Sequence, residues 1–122
     1  MTKFASKEAL VQSIRALAAT EIIAKIALLD GWSLQGESAE STNLSIEKTY
    51  RFANYYQTIA FVNAVAFIAH AQDHHPDLSV HYDRCVVRLQ THDVSGVSQR
   101  DLDCAARFDE LRALQPSPAL SA

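Results

Sequence analysis

The chain has 122 residues, 48% hydrophobic and 20% charged, with three Gly and three Pro. This describes one small globular domain with its own core, and excludes collagen-like, low-complexity and two-domain dinucleotide-binding architectures. Eleven Lys and Arg against fourteen Asp and Glu give a formal charge of −3, so nucleic-acid binding has no electrostatic footprint. In chain order, residues 1–15 read as an extension that turns helical from about residue 7, followed by a domain over 16–115. Leu10, Ile14, Leu17 and Ala18 predict a helix near 7–18. Thr20-Glu21 reads as a fresh cap and first turn of a second helix near 21–29, continuous or not with the first, and Asp30-Gly31 ends it.

Trp32-Ser33-Leu34-Gln35 alternates and reads as a short strand. Gly36 to Asn43 is a polar turn. Leu44 to Phe52 alternates again, completing an antiparallel hairpin. Asn54 is the expected N-cap of the longest helix, about 55–73. Tyr55, Ile59, Val62, Ala66 and Ala69 form one stripe on it, and Phe61, Val65 and Ile68 form a second beside it. So broad an apolar arc predicts a sheet on one side and another helix or subunit on the other. Although residues 52–72 carry no Asp, Glu, Lys or Arg, recurring Asn54, Gln57, Thr58, Asn63, His70 and Gln72 mark a buried helix rather than a membrane span.

Pro76 disfavours helix at His75 and stops the long helix near Asp73 or His74. Residues 79–93 read as extended, with a bend near Asp83-Arg84. Cys85, Val87, Leu89 and Thr91 share one face; Arg84, Val86, Arg88 and Gln90 share the other. Ser95-Gly96 is a turn. Ser98 caps a last helix, about 99–114, with Asp101 at the capping-box position. Its buried stripe is Leu102, Ala105, Phe108 and Leu111. Residues 116–122 read as a frayed tail. Two cysteines, Cys85 and Cys104, are too few for a disulfide framework. With no signal-peptide stretch at the start, a cytoplasmic location and two buried thiols are expected.

All five histidines fall between positions 70 and 92. Clustering of this kind has three readings: a metal site, an acid–base site, or coincidence. For metal, His70 and His74 share a helical face, but no Cys or carboxylate stands at matching spacing. The acid–base reading has the better geometry. His74 and His75 stand where a helix must end, and His92 stands at a strand end; if those ends meet, three imidazoles surround one cavity. The plain alternatives are a helix-surface or core role for His70, a solvent-facing strand position for His81, and helix-end capping by His74 or His75.

The pattern His70-x3-His74-His75-Pro76, then Tyr82, His92 and Asp101, resembles the pterin-4a-carbinolamine dehydratases, also called the dimerisation-cofactor family. Asp30-Gly31-Trp32, Tyr50-Arg51-Phe52, Phe61 to Ala66 and Thr91-His92-Asp93 agree with it, and the likeness spans about residues 20–112. Two departures are mild: Ser95-Gly96-Val97-Ser98 replaces the usual Gly-Gly-Leu-Thr, and Val94 stands where a small or Cys residue is common. The resemblance implies a two-layer α+β fold, a four-stranded antiparallel sheet with helices packed on one face. It implies a homodimer or homotetramer. It implies dehydration of 4a-hydroxytetrahydrobiopterin, or a related reduced pterin, to quinonoid dihydropterin, a hydro-lyase reaction with no metal and no cofactor that recycles the cofactor of aromatic amino-acid hydroxylases. By position, His74 and His92 would transfer protons and His75 would bind the pterin. Thr91, Asp93 and the backbone at Pro76 would contact the ring. Asp101 would either orient His92 or simply place negative charge at a helix start. Two other roles stay open: a non-catalytic protein-binding module, and service to another pterin pathway such as that of molybdopterin.

Overall fold

A computed structural model describes residues 14–37 and 43–115. Helix α1 spans Ala19–Ile26, strand β1 Ser33–Gln35, β2 Ser45–Arg51, helix α2 Tyr55–Gln72, β3 Asp77–Val80, β4 Arg84–Leu89 and helix α3 Gln99–Ala113, with a single 3₁₀ turn at His92–Val94. The strands form one antiparallel sheet in the order β1-β2-β4-β3. The α+β class read from the sequence is therefore the observed one.

Alternation decides which sheet face is covered. Ile46, Lys48 and Tyr50 of β2 lie opposite Leu89, Val87 and Cys85 of β4. All but Lys48 are buried, and they meet Phe61 and Val65 of α2 and Leu102, Ala105 and Phe108 of α3 in one core. The intervening residues, Glu47, Thr49, Arg84, Val86 and Arg88, stand on the other face, where Arg88 pairs with Glu47 at 2.8 Å. Phe61 places its ring 4.6 Å from that of Tyr50 and 5.2 Å from that of Phe52. Of the two stripes on α2, the Phe61–Val65 one is therefore the core stripe. The opposite side of the helix leaves Tyr56 83% and Phe67 78% exposed. Among the described residues, no helix is long and apolar enough to cross a membrane.

The N-terminal reading needs correction. Residues 14–18 are not helical; residues 7–13 lie outside the described region. The Leu17 amide donates to the Val97 carbonyl at 2.7 Å, which joins the segment to the loop before α3. The helix starts two residues early, at Ala19. Its cap is Ala18, whose amide donates to Glu21 Oε1 at 3.1 Å. Arg15 also grips Glu21, and these two partners hold the Glu21 carboxyl down at about 2. The helix ends at Ile26 rather than 29, and β3 starts at Asp77 rather than 79.

Two carboxylates on α3 bind the layers together. Asp109 accepts from Trp32 Nε1 at 3.0 Å, Lys48 Nζ at 2.7 Å and the Tyr50 hydroxyl at 2.5 Å. Burial, then the bond to Asp109, pushes the Tyr50 hydroxyl far above its usual range, so it acts only as a donor. Lys48 can lie inside the sheet–helix layer because this carboxylate meets its ammonium group. The second carboxylate, Asp101, stands two turns earlier and serves the site.

Candidate active site

Helix α2 ends as the sequence requires, but with a residue that glycine usually replaces. Asp73 adopts the left-handed conformation (φ 51°, ψ 44°). Its amide donates to the His70 carbonyl and the His74 amide to the Ala69 carbonyl, at 3.1 and 3.0 Å. These are the paired bonds of a Schellman closure. Arg100 of α3 adds a clamp: its Nη2 donates to the carbonyls of Asp73 at 3.0 Å and Gln72 at 3.4 Å. The reversal drops His74 into the protein and leaves His75 exposed beside Pro76.

The second arm of the site follows β4. Thr91 and Gly96 exchange backbone bonds, closing a loop whose first turn carries His92. Ser95 closes that turn, again left-handed at φ 51°. His74, His75, Pro76, Thr91, His92 and Asp93 all line one cavity of about 300 Å³, together with Asp73, Asp77, Gln90 and Arg100. The helix end and the strand end do meet, and the three imidazoles expected on one cavity are there.

Behind them stands Asp101, with no exposed surface. Its Oδ1 lies 2.5 Å from His74 Nε2. Its Oδ2 accepts from the Thr91 hydroxyl at 2.7 Å and the Ser98 amide at 2.9 Å. Thr91 in turn shares a 2.6 Å bond with the Ser98 hydroxyl. The carboxylate is both the N3 half of the expected capping box and the partner of His74. It does not face His92, so the orienting contact falls on a different imidazole from the one read in the sequence. Since a carboxylate only accepts, His74 Nε2 carries the shared proton and Nδ1 is the nitrogen left for other chemistry. Thr91 also differs from expectation: its hydroxyl is spent on Asp101, although the residue lines the cavity.

The remaining residues of the pattern lie elsewhere. His70 is exposed on α2 and shares no ligand set with the buried His74. Tyr82 stacks on Tyr55 with ring centroids 6.5 Å apart, and its carbonyl accepts from Thr58. His81 sits in the β3–β4 turn, its Nε2 3.1 Å from Ser79 Oγ. Arg100 was not singled out in the sequence. No local pattern marks it; only the tertiary meeting of α2 and α3 does.

The two-layer α+β domain thus carries a small polar cavity walled by imidazoles at a helix end. The chain belongs to the pterin 4 alpha carbinolamine dehydratase family, whose model matches residues 15–111. A protein of Paracidovorax citrulli with the curated name "Putative pterin-4-alpha-carbinolamine dehydratase" is 71% identical over 99 residues, covering 81% of this chain and 83% of the relative. A relative of the same name from Bdellovibrio bacteriovorus is 51% identical over 108 residues, covering 85% and 84%. Among solved structures, a transcriptional coactivator/pterin dehydratase from Brucella melitensis superposes with a TM-score of 0.70 at 26% identity, over 80% of this chain and 99% of that one. A pterin dehydratase-like protein described as a RuBisCO assembly factor in the alpha-carboxysome shares the fold, with a TM-score of 0.58 at 23% identity over 71% and 95%.

Proposed function

We propose that this protein dehydrates a 4a-hydroxytetrahydropterin, 4a-hydroxytetrahydrobiopterin or a close relative, to the quinonoid dihydropterin, with His74, His75 and His92 as the working groups. The observation that carries this reading is the convergence of these three side chains on one cavity, one of them fixed from behind by a buried carboxylate. Family membership supports it. In the reaction, the C4a–O bond breaks and the oxygen leaves as water, taking one proton. The N5 lone pair forms the new C=N bond, and the N5 proton is lost. One group must therefore give a proton to the C4a oxygen and another take one from the adjacent N5. Imidazoles do both near neutral pH, and each positioned group contributes about 10²–10⁴-fold. His74 and His92 come from different arms of the cavity, which suits this division of labour. His75, exposed at the rim, binds the ring. Asp101 is a positioning residue that holds the His74 ring and its tautomer. Asp93 and the Pro76 backbone contact the pterin, in a cytoplasmic homodimer or homotetramer that works beside an aromatic amino-acid hydroxylase.

The test is stopped-flow dehydration of synthetic 4a-hydroxytetrahydropterin. Acceleration by the wild type and its loss in a His74→Ala, His92→Ala double variant are expected; no acceleration at any protein concentration overturns the reading. A second reading, a protein-binding module, is favoured by one feature: Tyr56 and Phe67 stand exposed on α2, away from the cavity. The two roles use different surfaces, and the double variant separates them.

A further inference from the structure

Next to the histidine cavity lies a larger one, of about 580 Å³, between the end of α2 and the outer side of α3. The two cavities share His74 and Arg100 as walls. Positions 100, 103, 104 and 107 of α3 recur at three- and four-residue steps, so Arg100, Asp103, Cys104 and Arg107 form one helical stripe along the second cavity. The two arginines end the stripe two turns apart, about 10 Å along the axis.

Neither charge meets a carboxylate in an ion pair among the described residues. Arg15, Lys48, Arg84 and Arg88 each face a carboxylate. Arg100 uses Nη2 on two backbone carbonyls and has no carboxylate partner among the described residues. Arg107 has no hydrogen bond or ion pair among the described residues. Asp103 lines the same cavity, but its Oδ1 is held by the Gln99 side-chain amide at 3.0 Å; Glu110 is the other acid there. The Cys104 thiol donates to Gln72 Oε1 at 2.8 Å, so that part of the wall is internally satisfied. The charged donors this cavity has left to offer are two guanidinium groups, whose planar forks match phosphate and carboxylate oxygens, with the Gln72 side-chain NH2 as a neutral donor beside them. The histidine cavity is at the small end of the range for ligand sites. It suits a bicycle, and the second cavity adjoins it at His74 and Arg100.

We propose that Arg100 and Arg107 form an anion subsite for a substituent of the reduced pterin, so that the ligand class is pterins carrying a phosphate or carboxylate on their side chain. The proposal rests on the pterin reading of the histidine cavity. It is tested by equilibrium binding, which needs no turnover. The probes are 7,8-dihydroneopterin (a neutral side chain), its triphosphate, and 7,8-dihydrofolate (a carboxylate-bearing chain), titrated onto wild type, Arg107→Gln and Arg107→Lys. At least one anionic probe is expected to bind wild type about tenfold tighter than dihydroneopterin, and more weakly as salt rises. Arg107→Gln should remove most of that preference, and Arg107→Lys should restore part of it. A preference for the triphosphate assigns phosphate, and one for dihydrofolate assigns carboxylate. Equal affinity for all three probes, or a preference that survives Arg107→Gln, overturns the subsite, as does failure of every pterin to bind. A retained preference in a protein that does not accelerate dehydration leaves the subsite standing and overturns the catalytic reading instead.

Discussion

Asp101 and Asp109 sit two turns apart on the same helix, and each gathers three donors from other parts of the chain. Asp109 collects an indole, an ammonium and a phenol from the first half of the protein. Asp101 collects a backbone amide, a hydroxyl and an imidazole, and has no exposed surface. Of the two sets of donors, only Asp101's includes an imidazole, the side-chain type suited to proton transfer. The same device, a carboxylate ringed by donors, thus ties helix to sheet in one place and fixes an imidazole at a cavity wall in the other. What differs is the chemistry of one donor and its access to a cavity.

This contrast can be broken from either side. The largest effect on rate is expected from the His74→Ala, His92→Ala double variant: a fall of at least about 10³-fold in dehydration by the folded protein, with about 1–3 kcal/mol lost in urea because the buried Asp101 carboxylate loses one of its three donors. Asp109→Ala should leave the rate alone. It strands a mostly buried ammonium and two other donors, and should cost about 2–4 kcal/mol in urea denaturation while the folded fraction keeps its kcat. Asp101→Asn lies between. It keeps a polar group of the same shape but removes an acceptor, and roughly a ten- to hundredfold loss of kcat is expected, with KM changed much less. An equal loss in KM alone would move Asp101 from ring positioning to cavity shape.

Smaller effects sharpen the picture. Burial pushes the Cys85 and Cys104 thiols up from 9.0 to about 11. Native protein should therefore label slowly with a thiol reagent at pH 8 and rapidly in denaturant. The folded-state values lie above the unfolded ones, so the associated stability is complete below pH 9 and declines as pH rises from 9 toward 11. The smallest change is expected from Asp73→Gly, which relieves a left-handed residue. Denaturation should show a gain of up to about 1 kcal/mol, offset in part by the entropy of the unfolded glycine.

Much of the fold was legible because local patterns agreed with their tertiary surroundings. The alternation of Cys85, Val87, Leu89 and Thr91 is the burial pattern of β4 and its continuation. Asn54 does accept from the Gln57 amide as an N-cap, and Ser98 with Asp101 does start the last helix. Leu17 went wrong because apolar spacing suited a helix, while its amide finds the Val97 carbonyl, 80 residues on. The histidines were legible as a set, since the chain reversal at Pro76 and the strand end at His92 are both written locally. The partner of His74 was not. Asp101 is 27 residues away, its capping role accounts for it fully, and only the packing of α3 across the end of α2 brings it to the ring. Arg100 and the Asp109 cluster escaped for the same reason.

The Thr91–Gly96 clasp has one more consequence. It is made of main-chain atoms alone, so the collar it closes does not depend on the identity of the side chains between its ends. Asp93 and Val94 can therefore vary while His92 stays in register. Substitution of Asp93, which lines the histidine cavity, can thus change the shape and charge of its wall without rebuilding the scaffold that carries His92.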